Sequence, residues 1–136
     1  MHTTQVHRFK VDKLVRDKVP EIMRTLGIKV SERVMAKDKY IKRLKDKLLE
    51  DANEVLASSS EQEMREELSD LLEVTLALLK AYKMEFTNIQ QAADQKREEK
   101  GGFEKKIYHS FVEVEEGNPS LAYYESQPNK YPKLHL

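Results

Sequence analysis

The sequence predicts an all-α chain: a four-helix bundle with short extended segments near both ends and an irregular C-terminal tail. Three observations carry this. Charged residues make up 35% of the 136 residues and aromatics 7%, with only 4 Gly and 4 Pro, whereas an all-β domain needs more turn residues and aromatics. Apolar residues in the middle of the chain recur at alternating spacings of three and four, the period of a helix that buries one face. Start and stop signals bracket those runs: Ser60 with Glu63, Thr87 with Gln90, and Gly27 and Gly101 as terminators. At 15.9 kDa the chain has one domain's worth of residues.

The elements follow in order. Asp17–Leu26 reads as a first helix, with Asp17 as N-cap, Pro20 in the first turn where its missing N–H costs little, and Gly27 as the stop. Ile28–Met35 alternates weakly and fits a short strand or an extended link. A second helix is expected from Asp38 to Ala57, broken by Ser58–Ser60. The third starts at Ser60, whose hydroxyl and the Glu63 side chain form a capping box, and runs to about Met84. Thr87 with Gln90 opens a fourth helix that ends at Lys100 before Gly101. Ile107–Val114 alternates as a possible strand. The boundaries read as a helical domain over 8–114 and an irregular tail over 115–136, whose Tyr123, Tyr124, Tyr131 and Leu134 suggest packing on another surface such as a second subunit.

Several functions are excluded early. Cysteine is absent, so disulfides, thiolate metal sites and cysteine nucleophiles are excluded. The longest apolar stretch, around Val74–Leu79, is far short of the ~20 residues that span a bilayer. The opening MHTTQVHRFK lacks the apolar core of a signal peptide, so a cytoplasmic protein without a membrane partner is expected. The net charge is zero but unevenly spread. Arg8–Lys47 carries fourteen Lys/Arg against six Asp/Glu, Leu48–Glu73 carries nine acids against Arg65 alone, and the remainder balances. A nucleic-acid binder usually presents a net basic surface. Acidic and basic blocks side by side suit an anionic ligand carried on a divalent cation, or simply solvated helix faces.

The acids of the second and third helices are the informative anomaly. Ile41, Leu44, Leu48 and Val55 form an apolar stripe whose missing inward member is Asp51, with Glu54 three residues on. In the third helix Met64, Leu71, Val74, Leu78 and Ala81 form a stripe whose missing member is Glu67, with Asp70 three residues on; Leu68, Leu72, Thr75, Leu79 and Tyr82 widen the buried face. A short connection makes these helices an antiparallel hairpin and gathers the four acids. Buried unpaired carboxylates cost several kcal/mol each, and neighbouring ones repel. A divalent cation relieves both effects, and oxygen-only ligands favour Mg²⁺, Mn²⁺ or Ca²⁺ over zinc. Pairing with lysines on neighbouring helices is the competing arrangement. Di-iron chemistry normally takes Glu-x-x-His from bundle helices, and His2, His7, His109 and His135 all fall outside the four helices.

Asp51-x-x-Glu54, twelve intervening residues and then Glu67-x-x-Asp70 resembles the E-x-x-E…E-x-x-D signature of the MazG-like all-α nucleoside triphosphate pyrophosphohydrolases. KLVRDKVPEIM (Lys13–Met23) and KREEKGGFEKKI (Lys96–Ile107) look like the opening and closing motifs of a small single-domain subfamily, some of it labelled phosphoribosyl-ATP pyrophosphohydrolase-like. The departure is Asp51, where the family usually has Glu. The resemblance implies a MazG-like bundle and a hydrolase acting on phosphoric anhydride bonds, which cleaves a nucleotide substrate between its α and β phosphates with Mg²⁺, or Mn²⁺, as cofactor. On that reading Asp51, Glu54, Glu67 and Asp70 hold metal, and Glu50, Glu54 or Glu67 orients or deprotonates the attacking water.

Lys13, Arg16, Lys18, Lys96, Arg97 and Lys100 are the candidate phosphate contacts, Arg16 foremost because a guanidinium grips two oxygens at once. The last three also serve the dipole of a helix C-terminus, and Asp17 also serves as a cap. Tyr82, Phe86, Phe103 or Tyr108 offers a face for a base, though aromatics at such spacings are more often core. Ile89, Ala92 and Ala93 need cover, which predicts a homo-oligomer, dimer or tetramer. A non-catalytic helical module that binds a nucleotide or a protein partner, with a weakened metal site, is the second reading.

Overall fold

The computed structural model describes residues 4–135; His2 and Leu136 lie outside them. Five helices occur in the order α1 (Val19–Thr25), α2 (Lys37–Ala57), α3 (Glu61–Ala81), α4 (Phe86–Lys100) and α5 (Leu121–Glu125). No strand forms among the described residues. Ile28–Met35 and Ile107–Val114 are therefore irregular rather than strands. β-propensity alone does not make a strand without a neighbour to hydrogen-bond. The chain divides into two compact units, residues up to Gln95 and residues from Lys96 on.

α1 starts later than its sequence suggests. Lys18, not Asp17, occupies the N-cap, and no side chain caps the helix. The entering turn is closed instead by the Val19 N–H donating to the Arg16 carbonyl at 3.0 Å. Its end follows the expected pattern. Gly27 adopts φ +82° and donates to the Arg24 carbonyl at 2.9 Å, and Ile28 donates to the Met23 carbonyl at 3.1 Å. That is a Schellman closure, which needs the left-handed backbone glycine adopts without strain.

α2 and α3 form the only extensive helix–helix interface among the described residues. The reason lies in their connection. The Ser58 hydroxyl donates to the Val55 carbonyl at 2.7 Å, and the Ser60 hydroxyl accepts from the Glu63 N–H at 3.1 Å. The return bond of the capping box goes one residue early, from the Ser59 N–H to Glu63 Oε2 at 2.9 Å. So short a connection folds α3 back on α2. α3 stops at Ala81, not Met84, because Lys83 takes φ +56° and closes a second Schellman turn, with Met84 donating to the Leu79 carbonyl at 2.8 Å.

The predicted stripes meet across this hairpin. Leu44, Val74 and Leu79 are buried, and Ile41, Leu48, Val55, Leu71 and Leu78 are half-buried beside them. The widened face of α3 is covered only in part: Leu79 is buried and Thr75 half-buried, but Leu68, Leu72 and Tyr82 stay about half exposed, and Leu49 and Leu56 on α2 are more exposed still. α1 and α4 bury no residue, so the packed core of this unit is a two-helix one.

In the C-terminal unit, the tail expected to be irregular contains α5. Tyr123, Tyr124 and Tyr131 pack edge to face or tilted on one another, with ring centroids 5.1 to 5.9 Å apart. These tyrosines, expected to seek another surface, thus have each other. No helix is long and apolar enough to cross a membrane among the described residues.

Candidate metal centre

The most deeply buried of the core side chains is a carboxylate. Asp51 is 2% exposed, less than any of the buried apolar residues. It occupies the gap in the α2 stripe between Leu48 and Val55, so the periodicity that places leucines inward places it inward as well. Across the interface, the gap in the α3 stripe presents Glu67. Two overlapping groups result, each with carboxylate oxygens within 4.8 Å of one another: Glu50, Asp51 and Glu54, and Glu54, Glu67 and Asp70. Glu54 is common to both. All four predicted metal ligands, and the predicted water-activating Glu50, therefore meet at one place on the hairpin. No histidine belongs to either group; His7, His109 and His135 lie outside the helices.

Asp51 Oδ2 and Glu67 Oε2 are buried and accept no hydrogen bond among the described residues. The proton affinities register the crowding. Burial raises the pKa of Asp51, opposed by Lys47 and reinforced by Asp70, Glu54 and Glu50. The pKa of Glu67 is raised first by a hydrogen bond shared with Glu54, then by burial and by the charges of Glu54, Asp70 and Asp51. These are the expected responses of carboxyls that are desolvated and close to like charge.

Three cations reach the cluster. Lys13 Nζ donates to Glu50 Oε1 at 3.0 Å, and Arg16 Nη2 donates to Asp70 Oδ1 at 2.7 Å. Lys47 Nζ lies 3.6 Å from Glu50 Oε1 and 3.7 Å from Asp51 Oδ1. The pKa of Glu50 is accordingly lowered, chiefly by the Lys13 hydrogen bond. The competing expectation, that each acid has its own basic partner, is met only in part. Among the described residues Glu54 and Glu67 make no ion pair, and Asp51 keeps one oxygen unpartnered. Five carboxylates and three cations leave a formal deficit of two positive charges when all are ionised. Hard oxygen donors, a buried unpartnered pair of oxygens and that deficit fit a divalent cation such as Mg²⁺ or Mn²⁺.

The predicted phosphate contacts divide into two groups. The segment before α1 carries Lys13 and Arg16 to the rim of the cluster, both with more than half of the side chain exposed. Lys18 is the exposed N-cap residue of α1. Lys96, Arg97 and Lys100 lie on exposed turns of α4 in the C-terminal unit, and Arg97 is hydrogen-bonded to Glu104. Lys47 was not among the candidates. Its signal was its place four residues before Asp51, which puts both on one helix face. A small cleft between the leading segment and α2 is lined by Lys13, Arg43, Lys47 and Glu50.

No family model, curated protein or solved structure matches this chain.

Proposed function

We propose that the chain is a cytoplasmic, Mg²⁺-dependent nucleotide pyrophosphohydrolase of MazG-like, helical-bundle type, which cleaves a nucleoside triphosphate or related nucleotide between its α and β phosphates to a monophosphate and pyrophosphate. The observation that carries it is Asp51: a carboxylate buried more fully than the apolar core, with one unpartnered oxygen, inside a cluster that is short of two positive charges when fully ionised. Asp51, Glu54, Glu67 and Asp70 would hold the ion. Bound there, it would supply Lewis acidity toward the phosphate oxygens and a neighbouring water.

The chain's own residues do the rest. Glu50, kept ionised by Lys13 and Lys47, accepts a hydrogen bond from the attacking water and orients it. Glu54 or Glu67 takes the proton as the water oxygen bonds to phosphorus and the α–β bridging oxygen departs. Arg16 and Lys13, exposed at the rim, meet the phosphate oxygens, and the guanidinium can grip two at once. Homo-oligomerisation, as a dimer or tetramer, belongs to the same proposal, because the exposed leucines of α2 and α3 leave an apolar surface for a second copy.

The second reading, a non-catalytic module that binds a nucleotide or a protein, is favoured by two features: Lys13 and Arg16 already occupy Glu50 and Asp70, and Asp51 is one methylene shorter than the usual Glu. One experiment separates them. A nucleotide panel with Mg²⁺ is followed by inorganic pyrophosphatase and phosphate detection. The enzyme reading expects pyrophosphate release that Glu54→Gln and Glu67→Gln abolish while the helical signal is retained. Nucleotide binding without turnover across the panel would establish the module instead.

A further inference from the structure

We propose that residues 106–114 pair with the same segment of a second copy as an antiparallel two-stranded ribbon. This rests on the homo-oligomer reading and is independent of the metal chemistry.

The segment has strand composition but no strand. Ile107 is 73% exposed, Tyr108 88%, Phe111 64% and Val112 48%. From Ile107 to Val114 no backbone N–H or C=O takes part in a hydrogen bond with another backbone group among the described residues. The bonds at either end, Lys106 N–H to the Phe103 carbonyl at 3.1 Å and Asn118 N–H to the Glu115 carbonyl at 3.1 Å, close turns that leave the stretch between them open. A run of β-branched and aromatic residues with eight open donors and acceptors per edge is what a second strand completes.

The charges select the partner. Lys105 and Lys106 stand at one end, and Glu113, Glu115 and Glu116 at the other. A parallel copy in register would set lysine on lysine and glutamate on glutamate. A two-fold axis relates two copies antiparallel, with residue i meeting j and j meeting i, so each basic end meets an acidic one. Centred on Ser110, the pairing sets Lys105 opposite Glu115 and Tyr108 opposite Val112, and the small Ser110 meets itself. Opposite residues of such a pair share a face, so Tyr108 and Val112 meet directly, while Lys105, in the turn that Lys106 closes, faces Glu115 just beyond the end of the ladder. The occupant is thus a second copy rather than an unrelated acidic or basic peptide, which would satisfy one end and repel the other.

The test is a charge swap on the full chain, read by sedimentation velocity. The native chain is expected to self-associate. Lys105→Glu with Lys106→Glu, and separately Glu113→Lys with Glu115→Lys, should each weaken self-association by at least about tenfold, because the Lys105–Glu115 pairs become like-charged and both ends of each strand take one sign. Their equimolar mixture should recover native affinity, since one variant is acidic at both ends and the other basic. Circular dichroism establishes that each variant keeps its helices. Should a variant lose them, Ser110→Cys carries the test: the chain has no other thiol, and mild oxidation should give a disulfide-linked dimer, while Ser59→Cys in the α2–α3 connection should not. A native dimer indifferent to the charge swap, or one that Ser110→Cys does not cross-link, overturns the ribbon and leaves oligomerisation standing. A native chain that stays monomeric overturns both.

Discussion

Asp51→Asn should make the cation-free protein more stable, which is the opposite of what a change at the most buried of the core side chains usually does. Asn keeps the volume, so no cavity forms. What is lost is one ion contact with Lys47 at 3.7 Å; what is relieved is the desolvation of a carboxylate whose Oδ2 has no partner and its repulsion from Glu50, Glu54 and Asp70. Replacing a whole buried ion pair by neutral groups of similar shape is typically neutral to stabilising by roughly 1–4 kcal/mol, whereas removing one partner is costly where it strands the other charge. The lower half of that range fits here, because Lys47 is left with Glu50. About 1–2 kcal/mol in a chain of this size corresponds to a rise in Tm of roughly 3–8 °C. The assay is thermal unfolding in a chelator, repeated with excess Mg²⁺. The native chain should gain from Mg²⁺ and the variant much less, so their order narrows or reverses. A fall in the chelator Tm of Asp51→Asn would refute the reasoning, because it would make the aspartate a structural partner of Lys47.

Other expectations follow from the same geometry. In chelator, Tm should rise as pH falls from 7 toward the ordinary carboxylate range: Asp51 and Glu67 have raised pKa values, so the folded chain binds protons more tightly than the unfolded one and stability drops with rising pH. A pH scan of Tm reads this, and Asp51→Asn with Glu67→Gln should flatten it. Arg16→Gln should cost only about 0.2–1 kcal/mol without metal, as exposed ion pairs do, yet tighten Mg²⁺ or Mn²⁺ binding by titration calorimetry, since Asp70 loses a competing cation. Lys83→Gly should stabilise by roughly 0.5–1 kcal/mol, because glycine removes the strain of φ +56° at the end of α3; an unchanged or lower denaturation midpoint would contradict the Schellman account.

The hairpin and its acids were legible because their signals are local. Ser60 announces the start of α3 within three residues, and the gaps in two apolar stripes announce Asp51 and Glu67. The features that escaped depend on distant or absent partners. Lys13 and Arg16 find Glu50 and Asp70 across 37 and 54 residues, and a count of charges along the chain cannot assign such pairs. Leu68, Leu72 and Tyr82 read as buried because the stripe they widen is apolar, but burial needs a covering helix, and of that second row only Leu79 is buried. The end of α3 was misplaced because lysine, not glycine, takes the left-handed position. Ile28–Met35 and Ile107–Val114 have the alternation of strands without a neighbour to pair with.

The stretch ahead of α1 is fastened to α2 by one ammonium and to α3 by one guanidinium, both wet. Brine should dissolve those two fastenings within a Debye length of a few ångströms, while sulfate-type salts tighten the hydrocarbon seam of the hairpin beneath. Ionic strength would then peel the leading stretch from a helical pair that is itself growing firmer, so the two halves of one small structure answer the same solute in opposite directions.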